Sequence, residues 1–460
     1  PATGQPLLSV ARGNRQDAAS AIVSALAAFP IWSATPVIER ANILRQATLL
    51  MTERKPEIAA IIALETGRSM KDALAEVGAA IEQGFFMAGE GRRFFGRTTT
   101  SAMPNRSAMT VRQPVGVAAL IVAANTPIAN VAWKAFPALL CGNAAILKAS
   151  EDAPYTPVWF AQILKEAGLP DGVFSVVQGL GEEAGAPLVE HPQVDLVSFT
   201  GSVPVGRYIQ KTAGERLAKV CLELGGKNAL VVCDDADLNA AAEAAVLSAF
   251  SNAGQRCASG SRIVVFESVY EAFKALLLEK TSRFKMGVTD ADDAGPVINE
   301  AQLQRMLSAI QHAVEVDQAV LLAGGYRLQG EPYAGGYYLA PTVLENVSPD
   351  AAISQEELFG PITALYKVRD FEAAIELNNQ SCMGLTAALH TGNMHRVQQF
   401  IERSRTGVVS INGPTYGSEP HMPFGGLKDS GNGFREPGPE ALDVYSELKT
   451  VYIKHDPRQV

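Results

Sequence analysis

Between Asp17 and Phe95 the apolar residues recur three and four positions apart, as in Ala41, Leu44, Ala47, Leu50 and Met51, which predicts a run of amphipathic helices. Ile31-Trp32 and Pro36 are expected to separate the first two. The helical period stops near Gly96. Arg97 to Gln113 is rich in Thr, Ser and Met, carries Pro104-Asn105, and reads as an exposed hairpin. From Val115 short apolar runs alternate with segments of crossover-helix length. The runs are Val115 to Ala124, Ala144 to Lys148, Val173 to Val177, Val194 to Phe199 and Ala218 to Leu224. This alternation predicts a parallel, doubly wound sheet. A second alternation follows Asn228, with strands at Ala229 to Cys233 and Ile263 to Phe266 and helices at Leu238 to Ser251 and Val269 to Phe284, continuing to about Ile411. Val444 to Ile453 is rich in β-branched and aromatic residues and reads as a strand that needs a sheet to join. The fold class is α/β, with two doubly wound α/β domains plus a small β element.

Composition narrows the picture. A chain of 460 residues exceeds what one core usually supports, and 47% hydrophobic with 19% charged residues is ordinary for a globular protein. The net charge of −9 and the absence of a basic run argue against a nucleic-acid partner. Val115 to Leu147 carries Lys134 as its only charge, but Asn125, Pro127, Asn130, Pro137 and Asn143 interrupt it, so no membrane span is expected there. Five unevenly spaced cysteines show neither a disulfide framework nor metal-ligand spacing, so a reducing, cytoplasmic location and no metal are expected. The chain starts at Pro1, and no targeting segment is visible.

In a parallel sheet ligands bind beyond the carboxyl ends of the strands. Three such ends carry suitable groups: Lys148 with Glu151 close behind, Gly179 with Gly181, and Phe199-Thr200-Gly201-Ser202 leading into a helix. A Gly-Ser at a helix start leaves backbone N–H groups for an anion, which suits a pyrophosphate. The Gly179/Gly181 pair is a partial dinucleotide fingerprint, the next glycine being Gly185, and an ordinary strand-to-helix turn is the plainer reading of it on its own.

Two segments carry chemistry. Glu223, in Leu222-Glu223-Leu224-Gly225-Gly226-Lys227, closes an apolar strand and is a candidate general base, the plainer reading being a salt bridge to Lys227. Cys257, in Gly254-Gln255-Arg256-Cys257-Ala258, has little apolar bulk around it and is a candidate nucleophile, whereas most free cysteines are inert core residues.

Together, in this order and spacing, these motifs resemble the signature of the aldehyde dehydrogenase superfamily of the NAD(P)-dependent, non-acylating type, and the resemblance extends over nearly the whole chain. It implies a modified Rossmann cofactor domain at 1–96 and 114–225, a catalytic domain at 226–429, and an oligomerisation hairpin at 97–113 with a tail strand at 440–454. In relatives that tail pairs with the hairpin of another subunit, so a homodimer or homotetramer is expected. By the same resemblance Phe199 to Ser202 hold the phosphates, Lys148 and Glu151 lie against the adenine ribose, and Leu224, Glu357 and Phe359 attend the nicotinamide end. A carboxylate at Glu151 favours NAD, with NADP as the alternative.

The implied chemistry is attack of the Cys257 thiolate on an aldehyde, an oxyanion held by Asn125 and the Cys257 N–H, hydride loss to leave a thioester, and hydrolysis with Glu223 as base. Ala123-Ala124 stand where the family usually has Pro-Trp before the asparagine. Thr126, Asn130, Trp133, Ser251, Arg256, Tyr416, His421 and Phe424 are the expected tunnel residues. Their polarity points to a semialdehyde or a polar aromatic aldehyde, with Arg256 or His421 facing a distal anionic group. The competing readings are a CoA-acylating relative, which usually lacks the base at the Glu223 position, and a non-catalytic binding or structural relative.

Overall fold

The computed structural model describes residues 1–459. Four helices open the chain: α1 (Arg15–Ala34), α2 (Val37–Glu53), α3 (Lys55–Thr66) and α4 (Met70–Glu90). Asn14 and Asp17 form a reciprocal capping box at the start of α1, and Ser69 caps α4 through the Asp72 N–H. The break between α1 and α2 falls at Thr35-Pro36. Ile31-Trp32 is not a break, because Trp32 is fully buried and its indole N–H donates to the Leu139 carbonyl at 3.1 Å. By length and composition α1 is apolar enough to cross a membrane, yet Ala18, Ile22, Ala25, Ala28 and Trp32 form a buried face within the protein.

A hairpin of β1 (Thr98–Thr100) and β2 (Arg106–Pro114) follows. Next come β3 (Val117–Ile121), α5 (Pro127–Leu140), β4 (Ala144–Lys148), α6 (Thr156–Glu166), β5 (Phe174–Val177), α7 (Ala186–Glu190), β6 (Leu196–Thr200), α8 (Val203–Gly214) and β7 (Lys219–Glu223). These strands form a parallel five-stranded sheet in the order β5-β4-β3-β6-β7. Strand periodicity puts Leu120 and Leu147 in one core cluster and Ala119 and Ile146 in the other, so helices cover both faces.

The second sheet is built from β8 (Asn228–Val232), β9 (Gly260–Phe266), β10 (Val320–Ala323), β11 (Thr342–Glu345), β12 (Ile362–Val368), β14 (Thr386–His390) and β15 (Val408–Ile411), while β13 (Met383–Gly384) and β16 (Leu427–Lys428) pair separately. Its order is β10-β11-β12-β9-β8-β14-β15, parallel except at β10. Helix α9 (Leu238–Phe250) precedes the cysteine loop.

The tail strand β17 (Ser446–Lys454) pairs antiparallel with β2 of the same chain, from Ser446 opposite Pro114 to Lys454 opposite Arg106. This corrects the expectation that the tail joins the hairpin of another subunit. The short helix Ala441–Tyr445, buried against α5, delivers the tail directly to β2, so no neighbour is needed to satisfy its ladder.

Candidate active site

One cleft of ≈ 1440 Å³ opens beyond the carboxyl ends of β3, β6 and β7 and is lined from the far side by the loops before β9 and β12. A pocket for one small ligand is typically about 300–1000 Å³, so this one has room for a dinucleotide and a second reactant together. Cys257, Glu223 and Asn125 all line it, although 132 residues of chain separate the asparagine from the thiol.

Tight backbone packing sets the position of Cys257. Asn252, Ala253 and Gly254 take left-handed φ values of 55°, 51° and 66°, and a side chain at Gly254 would strike the Gly360 carbonyl. Strain of this kind persists only where the surroundings over-determine it. Here the Asn228 amide donates to the Cys257 carbonyl at 2.8 Å, and the Thr415 hydroxyl donates to the Ala258 carbonyl at 2.6 Å. Burial pushes the Cys257 thiol up to about 12, and the nearby Glu357 and Glu223 add to this; Arg256 and the Ala258 N–H pull it down.

Glu223 ends β7. Among the described residues neither carboxylate oxygen has a hydrogen-bond partner, and Lys227 does not pair with it. Burial, reinforced by Glu436, raises its pKa well above the usual carboxylate range, while Lys134 and Arg435 oppose the shift. The sequence reading missed Lys134 and Glu436, which form an ion pair behind this carboxylate; the signal was there, as Lys134 is the lone charge in an apolar stretch. The glycines after Glu223 answer to close approach. A Cβ on Gly225 would fall 2.0 Å from a Glu357 carboxylate oxygen, and one on Gly226 would fall 2.5 Å from the Cys257 carbonyl. The two halves of the motif thus touch through Gly226.

Asn125 lies in the turn between β3 and α5. Glu76 on α4 accepts from the Ile128 N–H at 2.9 Å and holds Arg68 through its other oxygen, so α4 anchors the start of α5. Thr126, Asn130, Trp133, Ser251, Arg256 and Tyr416 line the cleft, and Phe424 joins them with its ring 5.6 Å from that of Trp133. Arg256 has its guanidinium 4.8 Å from the Tyr416 ring centre. Its Nε is buried without a partner, and no carboxylate pairs with it among the described residues. Burial and the neighbouring Arg68 lower its pKa. His421 is not in the cleft: its side chain is 54% exposed and faces Glu419 at 3.5 Å, because the loop meets the mouth at Tyr416 to Pro420 and returns only at Phe424.

The residues suit a nicotinamide dinucleotide. Ser202 starts α8 without capping it through its side chain, leaving the helix N–H groups open toward the cleft beside Thr200 and Gly201. A Cβ on Gly201 would meet the Phe199 ring, so Phe199 packs under the turn and does not itself line the cleft. Lys148 is buried and pairs with Glu151 at 2.9 Å, and Glu151 presents the pair to the cleft. Glu357, pushed up to about 7 by burial and pulled down by the Gly226 N–H, lines the cleft with Leu224 and Phe359. Gly179 and Gly181 lie outside it. Gly179 abuts the backbone of Gly13, ahead of α1, whereas Gly181 faces open space.

The fold and this constellation define an oxidoreductase in which a thiol and a carboxylate share a cleft with a dinucleotide cradle. The aldehyde dehydrogenase family model matches residues 1–451, and the chain belongs to that family, oxidising an aldehyde to a carboxylic acid with a nicotinamide coenzyme. The chain is 38% identical over 443 residues to the 2,5-dioxopentanoate dehydrogenase of Saccharolobus solfataricus, covering 95% of this chain and 92% of the relative. It is 39% identical over 440 residues to the alpha-ketoglutarate semialdehyde dehydrogenase of Haloferax volcanii, covering 95% and 91%. Betaine aldehyde dehydrogenase from Staphylococcus aureus in complex with NAD+ superposes with a TM-score of 0.96 at 31% identity, over 100% of this chain and 92% of that one. An NADP-dependent enzyme of E. coli superposes at 0.94 with 34% identity, over 99% and 93%.

Proposed function

We propose that the enzyme oxidises a short semialdehyde, an aldehyde with a carboxylate at its far end, to the dicarboxylate, using NAD. Arg256 carries this reading. Its guanidinium is half-buried, lines the cleft and makes no salt bridge among the described residues, with Glu76 and Asp72 acting on it only from a distance, so a carboxylate that binds there gains a charge-assisted pair. The flat Tyr416 ring beneath it keeps the cation oriented. The relatives' names point to the same substrate class.

With the distal carboxylate on Arg256, the aldehyde carbon reaches Cys257. The Cys257 thiolate adds to it, and the Asn125 amide donates to the oxyanion with the Cys257 N–H. A nicotinamide held by Glu357 and Phe359 would supply the hydride acceptor through which the Cys257 adduct becomes a thioester. Glu223 takes a proton from the water that hydrolyses the thioester and releases the acid. Thr200, Gly201 and Ser202 would hold the coenzyme phosphates, Glu357 and Phe359 the nicotinamide end, and Lys148 and Glu151 the adenine ribose. Glu151 favours NAD because a carboxylate repels a 2′-phosphate.

We assign the five-stranded unit to coenzyme binding, the seven-stranded unit to catalysis, and the sheet β1-β2-β17 to assembly. Leu448, Tyr452 and Ile453 on β17 are at least half exposed in the single chain, which supports a homodimer or homotetramer. A monomeric mass in sedimentation at micromolar concentration contradicts the assembly. The cytoplasm is the proposed location, since Cys257 works only as a free thiol.

The substrate reading is tested by comparing semialdehydes with neutral aldehydes of equal length, in the wild type and in Arg256→Leu. We expect the variant to lose about tenfold to a hundredfold in kcat/KM on semialdehydes alone, the range for a lost charge-assisted pair. Equal losses on both sets refute the assignment.

A further inference from the structure

We infer that Asn130 is a positioning residue that fixes which end of the Asn125 amide faces the reacting carbonyl. The inference rests on the reading of Asn125 as the oxyanion donor. A primary amide has a donor end and an acceptor end of nearly the same shape, and a reversed Asn125 points an oxygen at the developing negative charge. Three hydrogen bonds decide the orientation. The Asn130 Nδ2 lies 3.4 Å from the Ala123 carbonyl and 3.1 Å from the Asn125 Oδ1, and the Asn125 Nδ2 lies 3.0 Å from the Gln255 carbonyl. A backbone carbonyl only accepts. Ala123 therefore forces the NH₂ end of Asn130 inward, where it meets the oxygen end of Asn125. The Gln255 carbonyl, also only an acceptor, holds one N–H of Asn125 from the other end; Asn130 adds to that orientation by binding the oxygen end, and the second N–H is left for the oxyanion.

Asn130 is 8% exposed and sits on the first turns of α5, which Glu76 clamps. Both Nδ2 hydrogens are committed to these bonds, so Asn130 acts through Asn125 and not as a donor to substrate.

The test is a double-mutant cycle with a neutral aliphatic aldehyde and NAD, so that it is independent of the distal-carboxylate reading. Asn130→Asp keeps the shape of the side chain but only accepts when ionised, which draws the Asn125 Nδ2 away from the oxyanion. Asn130→Leu removes the donor without adding charge. Asn125→Ala is expected to cost about a hundredfold to a thousandfold in kcat/KM. In the wild-type background Asn130→Leu is expected to cost at least about tenfold and Asn130→Asp more, with NAD affinity and melting temperature close to wild type. In the Asn125→Ala background both are expected to cost less than about twofold, because the group they orient is gone.

Full multiplicative losses in that background overturn the inference and leave the oxyanion role of Asn125 standing. A near-wild-type rate for Asn125→Ala overturns the oxyanion reading, and this inference with it. If Asn130→Leu lacks a cooperative melting transition, the isosteric Asn130→Asp decides alone.

Discussion

Lys134 Nζ stands 2.7 Å from Glu436 Oε2, and each side chain is only 1% exposed. The Ser198 hydroxyl bridges them, accepting from Lys134 at 2.7 Å, and the Tyr445 hydroxyl also donates to Glu436. Charges this deep are felt at Glu223, where Glu436 raises the carboxyl pKa and Lys134 lowers it. The two substitutions should therefore move the enzyme in opposite directions. Glu436→Gln is expected to shift the acid limb of the kcat–pH profile to lower pH, because Glu223 then ionises more readily. Lys134→Met is expected to shift it to higher pH, and also to destabilise the protein by about 3–5 kcal/mol by leaving Glu436 unpaired. Steady-state profiles and thermal melts of both variants measure this, and shifts of the same sign would sink it.

The Glu223 carboxyl also ties stability to pH. Its folded pKa lies well above the 4.5 of the unfolded chain, so between the two the native state holds a proton that the unfolded state has released. Stability is then greatest below pH 4.5 as far as this group is concerned, and falls as pH rises through the folded pKa. Glu223→Gln does not titrate. Its melting temperature is expected to exceed that of the wild type above pH 4.5, with a gap that widens up to the folded pKa and levels off beyond it. A gap that fails to widen just above pH 4.5 in calorimetric scans counts against the raised pKa.

Hydrolysis and acylation separate in the first turnover. With NAD and an aldehyde but no CoA, Cys257→Ala is expected to form no NADH. Glu223→Gln is expected to give a burst of about one NADH per site and then to turn over about 10²–10⁴-fold more slowly than the wild type, the range for losing a general base. Normal cycling of Glu223→Gln places the base elsewhere. Wild-type turnover that requires CoA points to the acylating reaction.

Much of this molecule was readable in one dimension because its signals are local. Helix period from Asp17, strand runs from Val115 and the Leu224-Gly225-Gly226 turn all depend on residues a few positions apart. The glycine at 179 shows the limit of such signals: a short pattern cannot say that its neighbour in space is Gly13. The tail strand was recognised as a strand but given a partner in another subunit, and only the path of the chain after Ala441 shows that its partner is β2.

By itself the sequence determined the two runs of alternating strands and helices and the presence of a thiol, a carboxylate and an amide at chain positions where loops leave strands. Periodicity and turn chemistry act over a few residues, and that is enough for these. Tertiary structure alone decided that Cys257, Glu223 and Asn125 share a cleft, that Arg256 makes no salt bridge among the described residues while His421 faces solvent, and that Lys134 meets Glu436 across 302 residues of chain. Burial, pairing and electrostatic coupling depend on which distant segments are packed together, and no local pattern carries that information.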